Sequence, residues 1–235
     1  MIARPADDAL HLITQPAHAA LARRIVEQWT AGGLAGHSRR DSILHAIEEH
    51  DNGWIEVDGA PMRTAEGRIA DFITLPIDDR RGVWPRGVNR LADDPFAAAL
   101  VAEHSIFIFE RFRSDVDWAP FFATQGVLRA KYAAAAGVSL DELRRDYAFL
   151  RLADLISLTF CNRWREPQDA FGHRIAGDGG ELVVVTPDPF AGAAVEIEIQ
   201  ARMMPDRIYR DEDDVVGEWR TARAITLKGV VRSRS

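Results

Sequence analysis

SLDELRRDYAFLRLADLISLTFC, residues 139–161, is the stretch on which the reading of the fold turns. It has the form of one long helix with a marked start. Ser139 and Glu142 make a capping box, the hydroxyl accepting from a first-turn amide while the carboxylate reaches back, and Gly137 just before them ends the preceding helix. Leu143, Tyr147, Leu150, Asp154, Leu158 and Cys161 then recur at steps of three or four, which puts Asp154 in the middle of an apolar stripe. A carboxylate on such a face is costly unless a cation, a cluster of donors or a raised pKa compensates it. A metal ion meets that need. Pairing with Arg144, Arg145 or Arg151 is the plainer alternative.

Upstream of this helix the same periodicity recurs. Pro16 suits a first helical turn, followed by His18, Leu21, Ala22, Ile25 and Trp29 on one face. Asp41 is a fitting N-cap for a helix from Ser42 to about Asp51. Asp94-Pro95 opens a strongly apolar helix through Leu100, His104 and Phe107, and the Ala-rich run from Asp117 to Ala136 predicts another. Between Asn52 and Asp94, prolines and glycines predict a long irregular segment of the kind that covers a site. After Gly180 the period falls to two: Glu181–Val185, Val195–Gln200 and Ala224–Val231 read as strands, with Asp211–Asp214 in a solvated loop. The expected fold is therefore mainly α, a helical bundle over residues 1–178 with a small C-terminal antiparallel β subdomain over 179–235.

Composition narrows the function. The 235 residues are 47% apolar, enough for one substantial core. A formal charge of −7 leaves no excess of cations for general nucleic-acid binding. No apolar run approaches the roughly 20 residues that a bilayer needs, and residues 1–8 lack the apolar core of a secretory signal, so a cytoplasmic protein is expected. The single cysteine, Cys161, rules out a Cys-rich zinc cluster, so any metal must be held by His, Asp or Glu.

Four such residues fall on inward faces of three helices: His18, the adjacent His50-Asp51, and Asp154. His104 has a similar place between Leu100 and Phe107. Taken singly, each histidine is as well explained as a core residue, and His50 as a favourable imidazole at a helix C-terminus. His37, His45 and His173 read as surface residues, and Trp29, Trp54 and Trp84 as core or lid packing. No serine lies in a nucleophile-elbow sequence, and Gly32-Gly33 is not a phosphate loop.

The order His18, His50-Asp51, Asp154 resembles the HD-domain superfamily of metal-dependent phosphohydrolases. His18-Ala-Ala-Leu-Ala resembles its first motif and His50-Asp-Asn-Gly53 its His-Asp-x-Gly form, over roughly residues 10–165. The stretch Glu49-His-Asp-Asn-Gly-Trp54 also resembles one found in an uncharacterised bacterial family of unknown function. Trp54 stands where many HD relatives carry a phosphate-contacting Lys or a water-orienting Glu. Relatives with two metals add two histidines before the final Asp, whereas only His104 is available.

The resemblance implies an HD-domain-like bundle holding one divalent transition metal ion (Mn, Fe, Co, Ni or Zn) through His18, His50, Asp51 and Asp154. Asp51 or Asp154 would accept a proton from the attacking water, and His104 would be an extra ligand, a supporting group or a proton-transfer residue. Arg23, Arg111 and Arg151 are the candidates for an anionic substrate, each a few residues from a ligand. The expected activity is hydrolysis of a small phosphorylated metabolite or nucleotide. An iron-dependent HD-type oxygenase and a non-catalytic metal-binding or sensing module are the alternatives, and a homodimer stays open.

Overall fold

The Ser139 box does form. Its hydroxyl accepts from the Glu142 amide while the Glu142 carboxylate accepts from the Ser139 amide, and the 22-residue helix Leu140–Cys161 follows. The computed structural model describes residues 1–233. In chain order the elements are β1 (Ile2–Ala6), β2 (Ala9–Ile13), α1 (Gln15–Glu27), α2 (Arg40–Glu49), α3 (Ile55–Gly59), α4 (Ile77–Arg90), α5 (Pro95–Ile108), α6 (Ala119–Ala135), α7 (Leu140–Cys161), β3 (Gln168–Ala170), β4 (His173–Gly177), β5 (Leu182–Thr186), β6 (Val195–Pro205), α8 (Glu212–Thr221) and β7 (Arg223–Ser233). Short 3-10 turns cover Asn52–Trp54, Glu110–Phe112 and Val116–Trp118.

The mainly α expectation is overturned. Helix accounts for 49% and strand for 20%, and seven strands form one mixed, curled sheet shaped as a half-barrel. The strand order is β1-β2-β6-β7-β5-β4-β3, antiparallel throughout except for the parallel β5–β7 pair. The sheet is neither small, nor wholly antiparallel, nor confined to the C-terminus, because β1 and β2 come from the first thirteen residues. The physical reason is long-range pairing. β2 joins the sheet through Ala9↔Pro205 to Leu12↔Arg202, a register that no local period announces. The two extra hairpins turn on two residues each: Asp7-Asp8, with Asp7 at positive φ, and Phe171-Gly172, with both at positive φ.

The inner face of the sheet presents Ile175, Val183, Val185, Ile197, Ile199 and Val231 to the core shared with α1 and α7. α7 is covered on most sides, which is why buried residues occupy nearly its whole second half. Cys161 lies within this core, and burial pushes its thiol up to about 12.

Two further segments depart from expectation. The region 52–94 holds a 14-residue helix, α4, with Pro85 inside it. Its buried face of Val83, Trp84, Gly87 and Val88 packs on α5 and the Asn52–Trp54 turn, so tertiary burial outweighs the cost of proline. Only about residues 60–76 stay irregular. Asp211–Asp214 begins α8 rather than lying in a loop: Asp211 accepts from the Asp214 amide at 2.8 Å, and three acids sit in the first turn where the helix dipole favours them. Asp94 caps α5 as expected, whereas α2 starts at Arg40 with no side-chain cap. No helix among the described residues is long and apolar enough to cross a membrane.

Candidate functional site

Three helices and one turn deliver five titratable side chains to one buried place. α1 brings His18, the end of α2 brings His50 and Asp51, α5 brings His104 and α7 brings Asp154; none is more than 4% exposed. His18 Nε2 lies 2.8 Å from Asp51 Oδ2 and 3.8 Å from Asp154 Oδ1. His50 Nε2 is 3.5 Å from Asp51 Oδ2 and 3.6 Å from Asp154 Oδ1. His104 Nε2 is 4.0 Å from Asp154 Oδ2. Two overlapping groups, His18/His50/Asp51 and His50/His104/Asp154, have donor atoms close enough to hold a metal ion.

The outer nitrogen of each ring decides what the inner one can do. His18 Nδ1 meets the Ser157 hydroxyl at 2.6 Å and its Nε2 meets Asp51 Oδ2 at 2.8 Å; because that hydroxyl donates to the Asp154 carbonyl, its oxygen can accept from Nδ1–H, the tautomer that would turn the Nε2 lone pair to an ion beside Asp51. His50 Nδ1–H donates to the Ile47 carbonyl at 2.7 Å, leaving Nε2 inward, buried and without a hydrogen-bond partner. His104 is different. Its Nδ1 meets the Tyr147 hydroxyl at 3.0 Å, and that phenol has no other hydrogen-bond partner among the described residues. A buried O–H left without an acceptor costs more than an unused lone pair, so Tyr147 donates to Nδ1 and the His104 proton sits on Nε2. Two rings thus have an inner nitrogen that could turn a lone pair to a bound ion once it carries no proton, and one offers an N–H.

The charges follow from the packing. Burial of the His50 ring opposes its protonation, but the carboxylates of Asp51 and Asp154 outweigh that and raise its pKa to about 9. Burial lowers His104 to about 3, the nearby Asp154 charge being too weak to reverse it, so the ring is neutral. Asp154 is held well below the usual carboxylate range: burial works against it, and His50, Arg151 and His104 prevail. Asp51 is lowered likewise, by His50 and His18 against its burial. Arg151 donates to Asp154 Oδ2 at 2.5 Å, so the arginine pairing expected as the alternative to a metal coexists with a carboxylate oxygen aimed at the histidines.

A cavity of about 210 Å³ opens beside this cluster. Its walls include Trp54, Trp84, Ile108 and Phe109, and Phe72 and Ile73 from the irregular segment form part of the rim. Of the arginines expected to meet a substrate, Arg111 and Arg151 line it. Arg23 does not: it is paired with Glu48 at 2.6 Å outside the cavity. Glu56 is bound to Arg86 and Arg90. His45 pairs with Asp94 and His37 with Asp146, both apart from the cluster. Sequence reasoning missed Arg80, Gln15, Ser157 and Tyr147. Ser157 lies one turn beyond Asp154 and Tyr147 on the same stripe, a signal that was available. Arg80 was hidden in the segment taken as irregular.

Residues 1–206 match the family described as a protein of unknown function, DUF3891. The chain belongs to that family. The match takes in every residue of the cluster and the cavity wall. No curated protein and no solved structure matches the chain.

Proposed function

We propose that this DUF3891 chain is a single-metal phosphohydrolase of the HD type, acting on a small phosphate ester. The observation that carries the reading is His50: a ring locked by Ile47 so that a fully buried, unpartnered Nε2 faces two ionised carboxylates and a second imidazole. Metal–ligand bonds of about 2.0–2.2 Å bring cis donor atoms to separations of about 2.8–3.6 Å. The four imidazole–carboxylate distances between His18 or His50 and Asp51 or Asp154 run from 2.8 to 3.8 Å, with His50 common to both groups of potential ligands. His50 has one free lone pair, so it cannot serve both groups of potential ligands at once, which favours a single ion. Mixed imidazole and carboxylate donors suit Mn, Fe, Co, Ni or Zn.

A bound ion would supply Lewis acidity, polarising a phosphoryl oxygen and making hydroxide available near neutral pH. The chain's own residues do the rest. His18 and His50 are held by Ser157 and Ile47 in the tautomer that binds. Asp51, beside both imidazoles, is placed to take the proton of the attacking water. Neutral His104, carrying its proton on Nε2, is placed to donate a hydrogen bond that stabilises charge on the leaving oxygen, with Tyr147 fixing that tautomer. Arg151 holds Asp154 and presents cationic charge to the phosphate.

Protein purified without chelator is expected to hold close to one transition ion per chain and to hydrolyse small phosphate monoesters only while it is bound. His104→Phe should keep the ion and lose about 10²–10³ in kcat, the usual worth of one preorganised hydrogen-bond donor. Absence of bound metal overturns the reading, and two irons with oxygen consumption would replace it with the oxygenase.

The pH dependence has a definite sign. Because His50 must lose its proton to bind, metal affinity should rise with pH, approaching tenfold per unit, and level off near 9. In metal-free protein the same raised pKa contributes stability that is full below about 6.5 and lost as pH rises through about 9. Calorimetric titration in buffers of different ionisation enthalpy should detect about one proton released per ion at pH 7.5; none released would be inconsistent with His50 as a ligand.

A further inference from the structure

The cavity has a second charged end. Besides Arg151, which holds Asp154, the cavity is lined by Arg80 and Arg111. Arg80 and Arg111 have no acidic partner and no side-chain hydrogen bond among the described residues; Arg111 rests on the ring of Phe112, and Arg80 Nε is enclosed without an acceptor. Arg80 is half-buried and Arg111 exposed, and with neither guanidinium neutralised the pair leaves positive charge open to an anion.

Burial and the Arg111 charge together hold the Arg80 pKa below its ordinary value. Asp71 is the acid in electrostatic range, but its Oδ1 is taken by Ile73 and Thr74 in a local turn. The charges acting most on Arg80 are those of Arg111, Arg81 and Asp71, not the carboxylates of the metal cluster. The guanidinium pair is therefore a pole of its own.

The same cavity is lined by further donors without acceptors. Trp54 and Trp84, 3% and 4% exposed, each have an enclosed indole N–H with no partner, and both line the cavity with Arg80. Native proteins leave few buried donors unpaired, so three around one cavity point to a ligand rich in acceptor oxygens. The volume of about 210 Å³ is below the roughly 300–1,000 Å³ of sites for drug-sized molecules, which disfavours a nucleotide.

We infer that the substrate is a short bifunctional anion: a phosphate ester whose reacting group lies at the His18/His50/Asp51/Asp154 cluster and whose second anionic group, a carboxylate or phosphate, is held by Arg80 and Arg111. This rests on the hydrolase reading above and goes beyond it by naming the substrate class and the residues that select it.

The test uses non-hydrolysable probes on the metal-loaded protein. Methylphosphonate carries one anionic group; phosphonoacetate and 3-phosphonopropionate carry a second at increasing reach. Calorimetry is expected to show at least one of the longer pair binding tenfold or more tightly than methylphosphonate. Arg80→Gln and Arg111→Gln should each bring that preference to within about twofold, with methylphosphonate affinity and metal content unchanged. Arg111 is exposed, so its variant keeps the test alive if Arg80→Gln fails to fold. No preference, or one that survives in both variants as simple chelation of the ion would, overturns the subsite. The two readings fail separately: absent metal removes hydrolysis, whereas unchanged discrimination in the arginine variants removes the subsite.

Discussion

Asp154→Ala is expected to purify without its metal ion and to show no hydrolysis above background. Asp154 Oδ1 faces both His18 and His50 while Oδ2 is bound by Arg151, so the substitution removes a proposed ligand and unpairs the guanidinium beside it. Losing an outer partner of a ligand costs about 10–100-fold in metal affinity, and losing the ligand itself should cost more. Unpairing a buried charge typically costs about 3–5 kcal/mol of stability. Arg151 is 21% exposed and can turn toward water, so the fold should survive with less than that loss. Asp154→Asn separates the two effects, since it keeps the shape and one oxygen but not the charge. Metal content by mass spectrometry, alongside a circular-dichroism melt, reads both. Full metal retention in Asp154→Ala and in His50→Ala would show that these are core polar residues and not ligands.

That experiment bears on the part of the protein most legible in its sequence. The apolar stripe on both sides of Asp154 was enough to require compensation for its charge, and the cluster around it supplies that compensation. His18 and His50 could be placed on inward faces from spacing alone. Their tautomers could not, because these depend on Ser157 and the Ile47 carbonyl, contacts made only when α1, α2 and α7 close on one another. The same holds for His104: its stripe was visible, yet its role follows from the Tyr147 hydroxyl across a helix interface. Arg23 shows the opposite failure. Proximity in sequence to His18 made it a candidate, but on a helix five residues span more than one turn, and it faces Glu48 on α2 instead.

The sheet was only half legible. β6 carries the alternation of a half-buried strand and β5 a short apolar run, whereas β1 and β2 become strands by pairing with each other and, through β2, with the far end of β6. α4 was concealed by Gly82, Pro85 and Gly87, residues whose local preferences oppose a helix. Its buried face, Val83, Trp84 and Val88, prevails through packing that a local window does not see. With α4 went Arg80, and with Arg80 the second pole of the cavity.

Gly53→Ala is the sharpest test of how that helix is held. In the His50-Asp51-Asn52-Gly53 run the glycine invites explanation as a flexible exit from α2, but its φ is not among the positive ones. The cause is close approach. A methyl group at Gly53 would lie 2.0 Å from the Val83 carbonyl oxygen and 3.1 Å from the Gly87 amide, and one at Gly87 would lie 2.7 Å from Asn52 Oδ1. Backbone meets backbone there, fastened by Arg86 donating to the Gly53 carbonyl. The methyl must push α4 away, and with it Trp84, whose ring packs 5.7 Å from that of His104, and Arg80 one turn earlier.

Overpacking of this kind costs about 3 kcal/mol or more. For a chain of this size that is a fall of roughly 6–12 °C in melting temperature. Weaker metal retention should accompany it, since Asp51 is two residues away. Gly82→Ala, in the same helix with nothing within 4 Å of the added carbon, should instead be neutral or stabilising by up to about 1 kcal/mol. Equal shifts in the two variants would mean that the glycine after the His-Asp pair is not there to admit α4. Opposite shifts would mean that the glycine beside the His50-Asp51 pair is fixed by the close approach of the helix that carries Arg80 and Trp84.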